Sequence, residues 1–339
     1  MSLTPEEYAA KEMEVRKKTF GHILALRALT PEGRRKRSES DWETWLTTMY
    51  PQAVSAGFSE CHVDHWEWVW SIKRGVRPRP RHEPWPRGFG KSTSAEMTPI
   101  CLGARDLRNY CLYVSRTQDQ ADKHVATIES KLSADTVRHY YPKMAERKVS
   151  MYGHSKGWRR NRLWTSQGFI VDALGLDTAS RGVKAEDQRP DIIIFDDIDD
   201  KDDSLGEVQR IIDTIRLNII PTAGLGNDCV LLFVQNLIHA NSVASQLASD
   251  DPPFMIDRIS DEGFPALDGD FEYERRPEDG RLIITSGEPR WRELGVWEDW
   301  LNNLSPTGFK RECLQIVDLP PEGAIFPGFS EKLHVISWS

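Results

Sequence analysis

A chain of 339 residues with 39% hydrophobic and 28% charged side chains holds enough apolar material for one large domain or two modest ones. Its formal net charge of −8 argues against a surface coated with phosphate-binding residues, although a local basic cluster on one face stays compatible with nucleic acid. No apolar run approaches the ~18 residues of a membrane helix, and the N-terminus carries no signal-peptide pattern. The five cysteines (Cys61, Cys101, Cys111, Cys229, Cys313) are scattered without a C-x-x-C pair, so reduced thiols in a cytosolic setting are expected.

Taken in chain order, Thr4-Pro5-Glu6-Glu7 supplies a cap, a proline at the first helical position and a glutamate three residues after the cap. A helix should follow, with Phe20, Ile23 and Leu24 on one face. Ser40-x-x-Glu43 repeats the signal before a short helix that must stop near Pro51, and a further helix is expected over 60–72. These helices form an N-terminal appendage. Four prolines (Pro78, Pro80, Pro84, Pro86) then crowd the stretch 77–86, so any strand there must be short or interrupted, because proline removes a ladder donor. Beyond Gly90 the pattern turns regular. Helices are expected over 91–102, 118–132 and 205–217, and strands at 110–114, 163–164, 169–171, 192–195 and 230–234. Strands alternating with helices predict a parallel sheet covered on both faces. Past about residue 250 prolines break the chain into short pieces, and Trp291, Trp297, Trp300 and Phe309 mark a helical patch with a small core of its own.

The richest chemistry lies in Pro86-Arg87-Gly88-Phe89-Gly90-Lys91-Ser92-Thr93. A glycine-rich turn ending in Gly-Lys-Ser-Thr lets backbone N–H groups curl around the phosphates of a nucleotide. Lys91 then reaches the β and γ oxygens, and Ser92 offers its hydroxyl to Mg²⁺. Trp85 stands where the usual first glycine would be; Arg87 inside the loop has a forked guanidinium suited to the γ-phosphate. Roughly a hundred residues on, Asp191-Ile192-Ile193-Ile194-Phe195-Asp196-Asp197 reads as a buried strand with two carboxylates at its C-terminal tip, where α/β sheets bind ligands. Asp196 is expected to hold Mg²⁺, and Asp197 to orient and polarise the attacking water. The acidic run 196–203 alone would also read as a solvated loop or a Ca²⁺ site; the apolar strand before it favours the nucleotide role. Gln235 and Asn236 end the neighbouring strand, either to sense the γ-phosphate or simply to turn the chain. Cys61-His62-x-x-His65 reads as packing beside Trp66, Trp68 and Trp70, not as a metal site. The basic clusters at 34–37, 73–81 and 159–162 read as solvated loops unless they line one face.

The loop 86–93, the pair Arg181-Gly182 with Arg189-Pro190-Asp191, and the strand 192–197 together resemble the ATPase portion of the large terminase subunit, the DNA-packaging motor of tailed bacteriophages and prophages. The likeness spans about 55–330 and includes 309–312 and 322–326, similar to that family's connection from lid to nuclease. It implies an α/β fold of the P-loop NTPase, RecA/ASCE-like kind, divided into a helical appendage over 1–58, an ATPase core over 59–250 and a lid or linker subdomain over 251–339. ATP and Mg²⁺ are the implied cofactors. The phosphate loop is Arg87, Gly88, Phe89, Gly90, Lys91, Ser92 and Thr93; Ser92 and Asp196 take the metal; Asp197 is the catalytic carboxylate. Arg181 is similar to the arginine that the family inserts into a neighbouring subunit's site. Gln235 and Asn236 occupy the coupling motif, where threonine is commoner. Implied partners are double-stranded DNA, a portal protein, a small terminase subunit and further copies of the chain in a ring of five. The implied location is the host bacterial cytoplasm and, transiently, the procapsid portal. The chain ends where that family's nuclease domain would begin, so an isolated motor domain without nuclease activity is expected. A helicase-like translocase and a non-catalytic, nucleotide-dependent assembly module are the alternatives.

Overall fold

The computed structural model describes residues 31–149, 159–178, 188–224, 228–260 and 263–317. The expected helix after Thr4, Arg181 with Gly182, and residues 322–326 lie outside them. The first elements are helices: α1 (Pro31–Ser38), α2 (Trp42–Met49) and α3 (Glu60–Ser71). The cap of α2 is Asp41, one residue later than Ser40, and its carboxylate accepts the Thr44 N–H at 2.7 Å.

The main sheet contains β1 (Arg81–Pro84), β2 (Tyr110–Ser115), β3 (Arg162–Trp164), β4 (Ile170–Gly175), β5 (Ile192–Asp196), β6 (Val230–Gln235) and β7 (Ile259–Ser260). Its order is β3-β4-β2-β5-β6-β1-β7. Every neighbouring pair is parallel except β3 with β4. β1 has only four residues, as its prolines require, yet it pairs on both sides. Crossovers run through α4 (Lys91–Ala104), α5 (Gln118–Leu132), α6 (Asp135–Tyr140), α7 (Pro142–Ala145), α8 (Leu205–Thr214) and α9 (Val243–Ala248).

Strand alternation divides the interior in two. Cys111, Tyr113, Ile192, Ile194 and Leu232 enter the core shared with α2 to α5. Leu112, Val114, Ile193, Phe195 and Phe233 enter the core beneath α8 and α9. Both faces of the sheet are therefore covered, which is why β5 reads as an unbroken apolar run. Each fully buried aliphatic or aromatic side chain stabilises by about 1.5–3 kcal/mol.

Where β4 meets α5 there is no room for a methyl group. A Cβ on Gly175 would lie 2.6 Å from Gln118 Cα, against backbone that cannot swing aside. Gly175→Ala is expected to lower stability by about 1–3 kcal/mol, read as a fall in the urea midpoint. An unchanged midpoint would contradict this packing.

Two expectations about elements need correction. The helix predicted over 205–217 ends at Thr214 and passes into a π turn (Ile215–Ile219) and a 3₁₀ turn (Ile220–Ala223), because Pro221 cannot continue the i→i−4 ladder. The C-terminal patch is not purely helical: an antiparallel hairpin, β8 (Leu267–Arg275) and β9 (Leu282–Pro289), precedes α10 (Leu294–Glu312). α10 is kinked at Ser305, before Pro306. The small core here also differs from expectation. Trp297, Leu301 and Phe309 share it with Cys61 of α3 and with Trp85 and Phe89 of the glycine-rich loop.

Candidate functional site

The loop between β1 and α4 is shaped by two glycines in the left-handed region, Gly88 (φ 87°) and Gly90 (φ 71°). Gly90 is the N-cap of α4, so the helix opens at Lys91 with its dipole and first-turn N–H groups directed back into the loop. The N–H groups of Lys91, Ser92 and Thr93 find no acceptor among the described residues. The loop is anchored from behind. Phe89 is wholly buried, its ring near those of Phe264, Trp291 and Trp297. Its carbonyl accepts from His62 Nε2 at 2.7 Å, while His62 Nδ1 accepts the Ser59 N–H at 2.9 Å. Both ring nitrogens are thereby assigned, and burial lowers the imidazole's pKa, so His62 is a neutral strut. Phe89 can meet a nucleotide only through its main chain.

His65 is likewise consumed by packing. Its Nδ1 lies 2.9 Å from Glu83 and its Nε2 2.9 Å from Thr98. Arg81 donates to Glu83 at 2.5 Å, so β1 carries a buried, satisfied polar network just ahead of the loop.

Facing the loop is the tip of β5. Lys91 Nζ lies 3.5 Å from Asp197 Oδ1, and the Ser92 hydroxyl donates to Asp196 Oδ1 at 3.2 Å. The two adjacent aspartates are unlike. Asp196 is fully buried, whereas the Asp197 side chain is 49% exposed. Asp197 adopts φ 51°, uncommon for a residue other than glycine, which turns the chain sharply at the strand's end. Asp196 Oδ2 accepts the Tyr113 hydroxyl at 2.7 Å and lies 3.7 Å from His124 Nε2.

Burial, and then the charge of Asp197, pushes the Asp196 carboxyl up to about 6. Burial also pushes Asp199 up to about 6, although the N–H groups of Val243 and Ala244 donate to it. For an acid whose folded value is raised, the native chain retains protons that the unfolded chain has already released between the ordinary value near 3.8 and about 6. Stability therefore falls as pH climbs through that window and stays lower above it. Asp196→Asn should remove its share of this cost. In metal-free buffer at about pH 8 the variant is expected to be more stable by on the order of 1–3 kcal/mol, the gap closing toward about pH 4, as read from urea midpoints. A less stable variant at the higher pH would contradict this.

The remaining sequence-predicted residues divide. Arg87 is held at the loop by α10: its N–H donates to the Glu312 carbonyl at 2.9 Å, and its guanidinium lies 3.8 Å from the Glu312 carboxylate. Gln235 and Asn236 are both buried. Gln235 Oε1 accepts the Ile198 N–H at 2.8 Å, bracing the turn after the aspartates. Asn236 Nδ2 donates to Glu312 Oε2 at 3.0 Å. These amides thus tie the β6 tip to the acidic turn on one side and to α10 on the other. The sequence alone does not single out Tyr113, His124 or Gln315 and marks Glu312 only within 309–312; Gln315 donates to the Pro84 carbonyl at 2.5 Å. None carries a local spacing signal; each is brought in by a distant element.

Beside the loop opens a cavity of about 140 Å³ whose lining includes Phe58, His62, Gly88, Thr93, Met97 and Arg292. Several members of the basic clusters are engaged by carboxylates, as in Arg74–Asp106 at 3.1 Å, Arg77–Asp257 at 2.8 Å and Arg162–Asp172 at 2.5 Å. All five cysteines are buried, and none is joined in a disulfide. Among the described residues no helix is long and apolar enough to cross a membrane, and no group of three or more His, Cys, Asp or Glu converges on a metal position. The donors that fit Mg²⁺ are the Ser92 hydroxyl and the Asp196 carboxylate. Two hard oxygens suit an ion that keeps several waters and takes its other ligands from phosphate. No family model matches the chain, and no curated protein matches it either.

Proposed function

We propose that the chain is a Mg²⁺-dependent ATPase and, within that class, the motor portion of a large terminase subunit that drives double-stranded DNA into a procapsid. One observation carries the ATPase reading: the first two residues of α4 meet the two aspartates at the tip of β5, Lys91 with Asp197 and Ser92 with Asp196. The sheet order supports it, since β6 separates the loop-bearing β1 from the acidic β5, as a RecA/ASCE-like P-loop arrangement requires. In this reading the free N–H groups of the α4 first turn and Lys91 receive the phosphate oxygens. Ser92 and Asp196 hold Mg²⁺, which when bound withdraws charge from the phosphates. Asp197, whose side chain is half exposed, orients the attacking water and accepts its proton. The base and ribose occupy the cavity edged by Phe58, Met97 and Arg292.

The packaging role rests on the likeness of 86–93, 181–191 and 192–197 to the terminase motor, and with it the DNA, portal, small-subunit and ring partners and the cytoplasmic location. Arg181, outside the described residues, is assigned on the same ground to a neighbour's site. Such fingers are worth ~10³–10⁵ in rate, so the isolated chain should turn over slowly. Phosphate release by the full chain tests the proposal. The expected result is slow, EDTA-sensitive turnover that rises when double-stranded DNA and portal permit assembly. Turnover indifferent to Mg²⁺ or to assembly would overturn it.

A further inference from the structure

Behind Ser92 and Asp196 lies a polar array that the proposed function does not use. Asp196 sits wholly inside the protein, and its two oxygens are treated differently. Oδ1 receives the Ser92 hydroxyl at 3.2 Å; Oδ2 receives the Tyr113 hydroxyl at 2.7 Å. Tyr113 lies on β2, its Cα paired with that of Ile194 in β5, and is itself fully buried. The His124 ring of α5 stacks on the Tyr113 ring, centroids 4.8 Å apart and planes inclined by 25°. His124 Nε2 faces the same Oδ2 at 3.7 Å, and its Nδ1 is 2.9 Å from Glu96. The other oxygen of Glu96 takes Lys131 Nζ at 3.0 Å. Glu96 belongs to α4, the helix that presents Ser92, so the array joins the carboxylate to the hydroxyl through three elements.

A carboxylate pinned through one oxygen presents only the other. We infer that Tyr113 is a positioning residue, braced by His124 and Glu96, that fixes Asp196 so that Oδ1 alone is turned toward Ser92 and the metal. The inference rests on the Mg²⁺·nucleotide reading of this site. Its physical basis is the general behaviour of partners that orient a metal ligand, whose loss costs about 10–100-fold in metal affinity or activity. A buried tyrosine that merely fills the core would show no such selectivity for the ion.

The experiment compares wild type with Tyr113→Phe, which removes the hydroxyl and keeps the stacked ring. Mn²⁺ binding to the full chain loaded with a non-hydrolysable ATP analogue is read by electron paramagnetic resonance. The affinity of a fluorescent ATP analogue in EDTA reports the loop alone. Expected is a loss of about tenfold or more in Mn²⁺ affinity with metal-free nucleotide affinity held within about twofold. Unchanged Mn²⁺ affinity, or equal weakening of metal and metal-free nucleotide binding, would overturn the inference. If Tyr113→Phe fails to fold, His124→Gln is measured by the same pair of readouts and judged by the same outcomes. A folded wild type that binds neither Mn²⁺ nor nucleotide removes the ATPase reading itself, and the inference with it; that result is separable because it appears before any substitution is made.

Discussion

Lys91→Ala is expected to lose ATP hydrolysis altogether and to weaken Mg·ATP binding by about 10–100-fold, the equivalent of one charge-assisted hydrogen bond at about 1.5–3 kcal/mol. Lys91 lies at the head of α4, and among the described residues it forms an ion pair with Asp197 alone, at 3.5 Å. Without the ammonium, the loop would present phosphate oxygens to Asp197 and Asp196 with no compensating charge at the helix start. The fold should be indifferent. The residue caps no other element, and its partner is half exposed, so the pair contributes little to stability. Titration with a fluorescent ATP analogue, alongside thermal melting, checks both halves of the expectation. A variant that melts like wild type and binds Mg·ATP as tightly would place the nucleotide elsewhere.

Asp197→Asn is expected to do the converse, retaining nucleotide while losing about 10²–10⁴ in turnover, the range of positioned general-base effects. Asparagine is the informative replacement because the backbone at 197 is left-handed (φ 51°), a region that asparagine tolerates and most residues do not. The turn after β5, held by Gln235 through Ile198, should therefore survive, and only the charge is removed. Single-turnover phosphate release at saturating ATP measures the chemical step apart from binding. Turnover within about threefold of wild type would exclude the catalytic role. The two variants together separate the phosphate ligand from the water-activating group, since one fails in binding and the other in chemistry.

Much of this arrangement was legible in the chain itself. The strand 192–196 announces itself as an apolar run with acids at its end, and the cap Thr117 with Gln120 marks the start of α5, which runs over Gln118–Leu132 as expected. The glycines of the loop mark the turns that only glycine makes easily. What escaped has a common physical cause. The β8–β9 hairpin was hidden by prolines at either side, although Pro277-Glu278-Asp279-Gly280 before Ile283-Ile284-Thr285 is a turn signal leading into a β-branched run. β7, two residues long, lies below the length at which periodicity carries information. Tyr113 sits in an apolar strand like any core residue, and only its pairing across β5 brings the hydroxyl to Asp196. Glu312 looks like the polar end of a helix, yet it meets both Arg87 and Asn236. Such contacts join residues tens to hundreds of positions apart, and no local spacing encodes them.

These long-range contacts also revise what the glycine-rich loop is. Its ring-bearing residue is embedded in the core of the C-terminal subdomain, and its arginine is held by the last turn of α10. Any displacement of Arg87 toward a phosphate would therefore draw on the Glu312 contact, and Asn236 would register it at the tip of β6. Gln235 and Asn236 are buried at that tip, bonded to Ile198 and to Glu312 respectively.

The most direct measurement is a structure of the full chain with Mg²⁺ and a non-hydrolysable ATP analogue. The expected structure has the phosphates against residues 87–93, Lys91 on their oxygens, and the ion between Ser92 and Asp196 with Tyr113 still on the far carboxylate oxygen. A nucleotide bound away from the start of α4, or an ion that leaves Asp196 uncontacted, would contradict it.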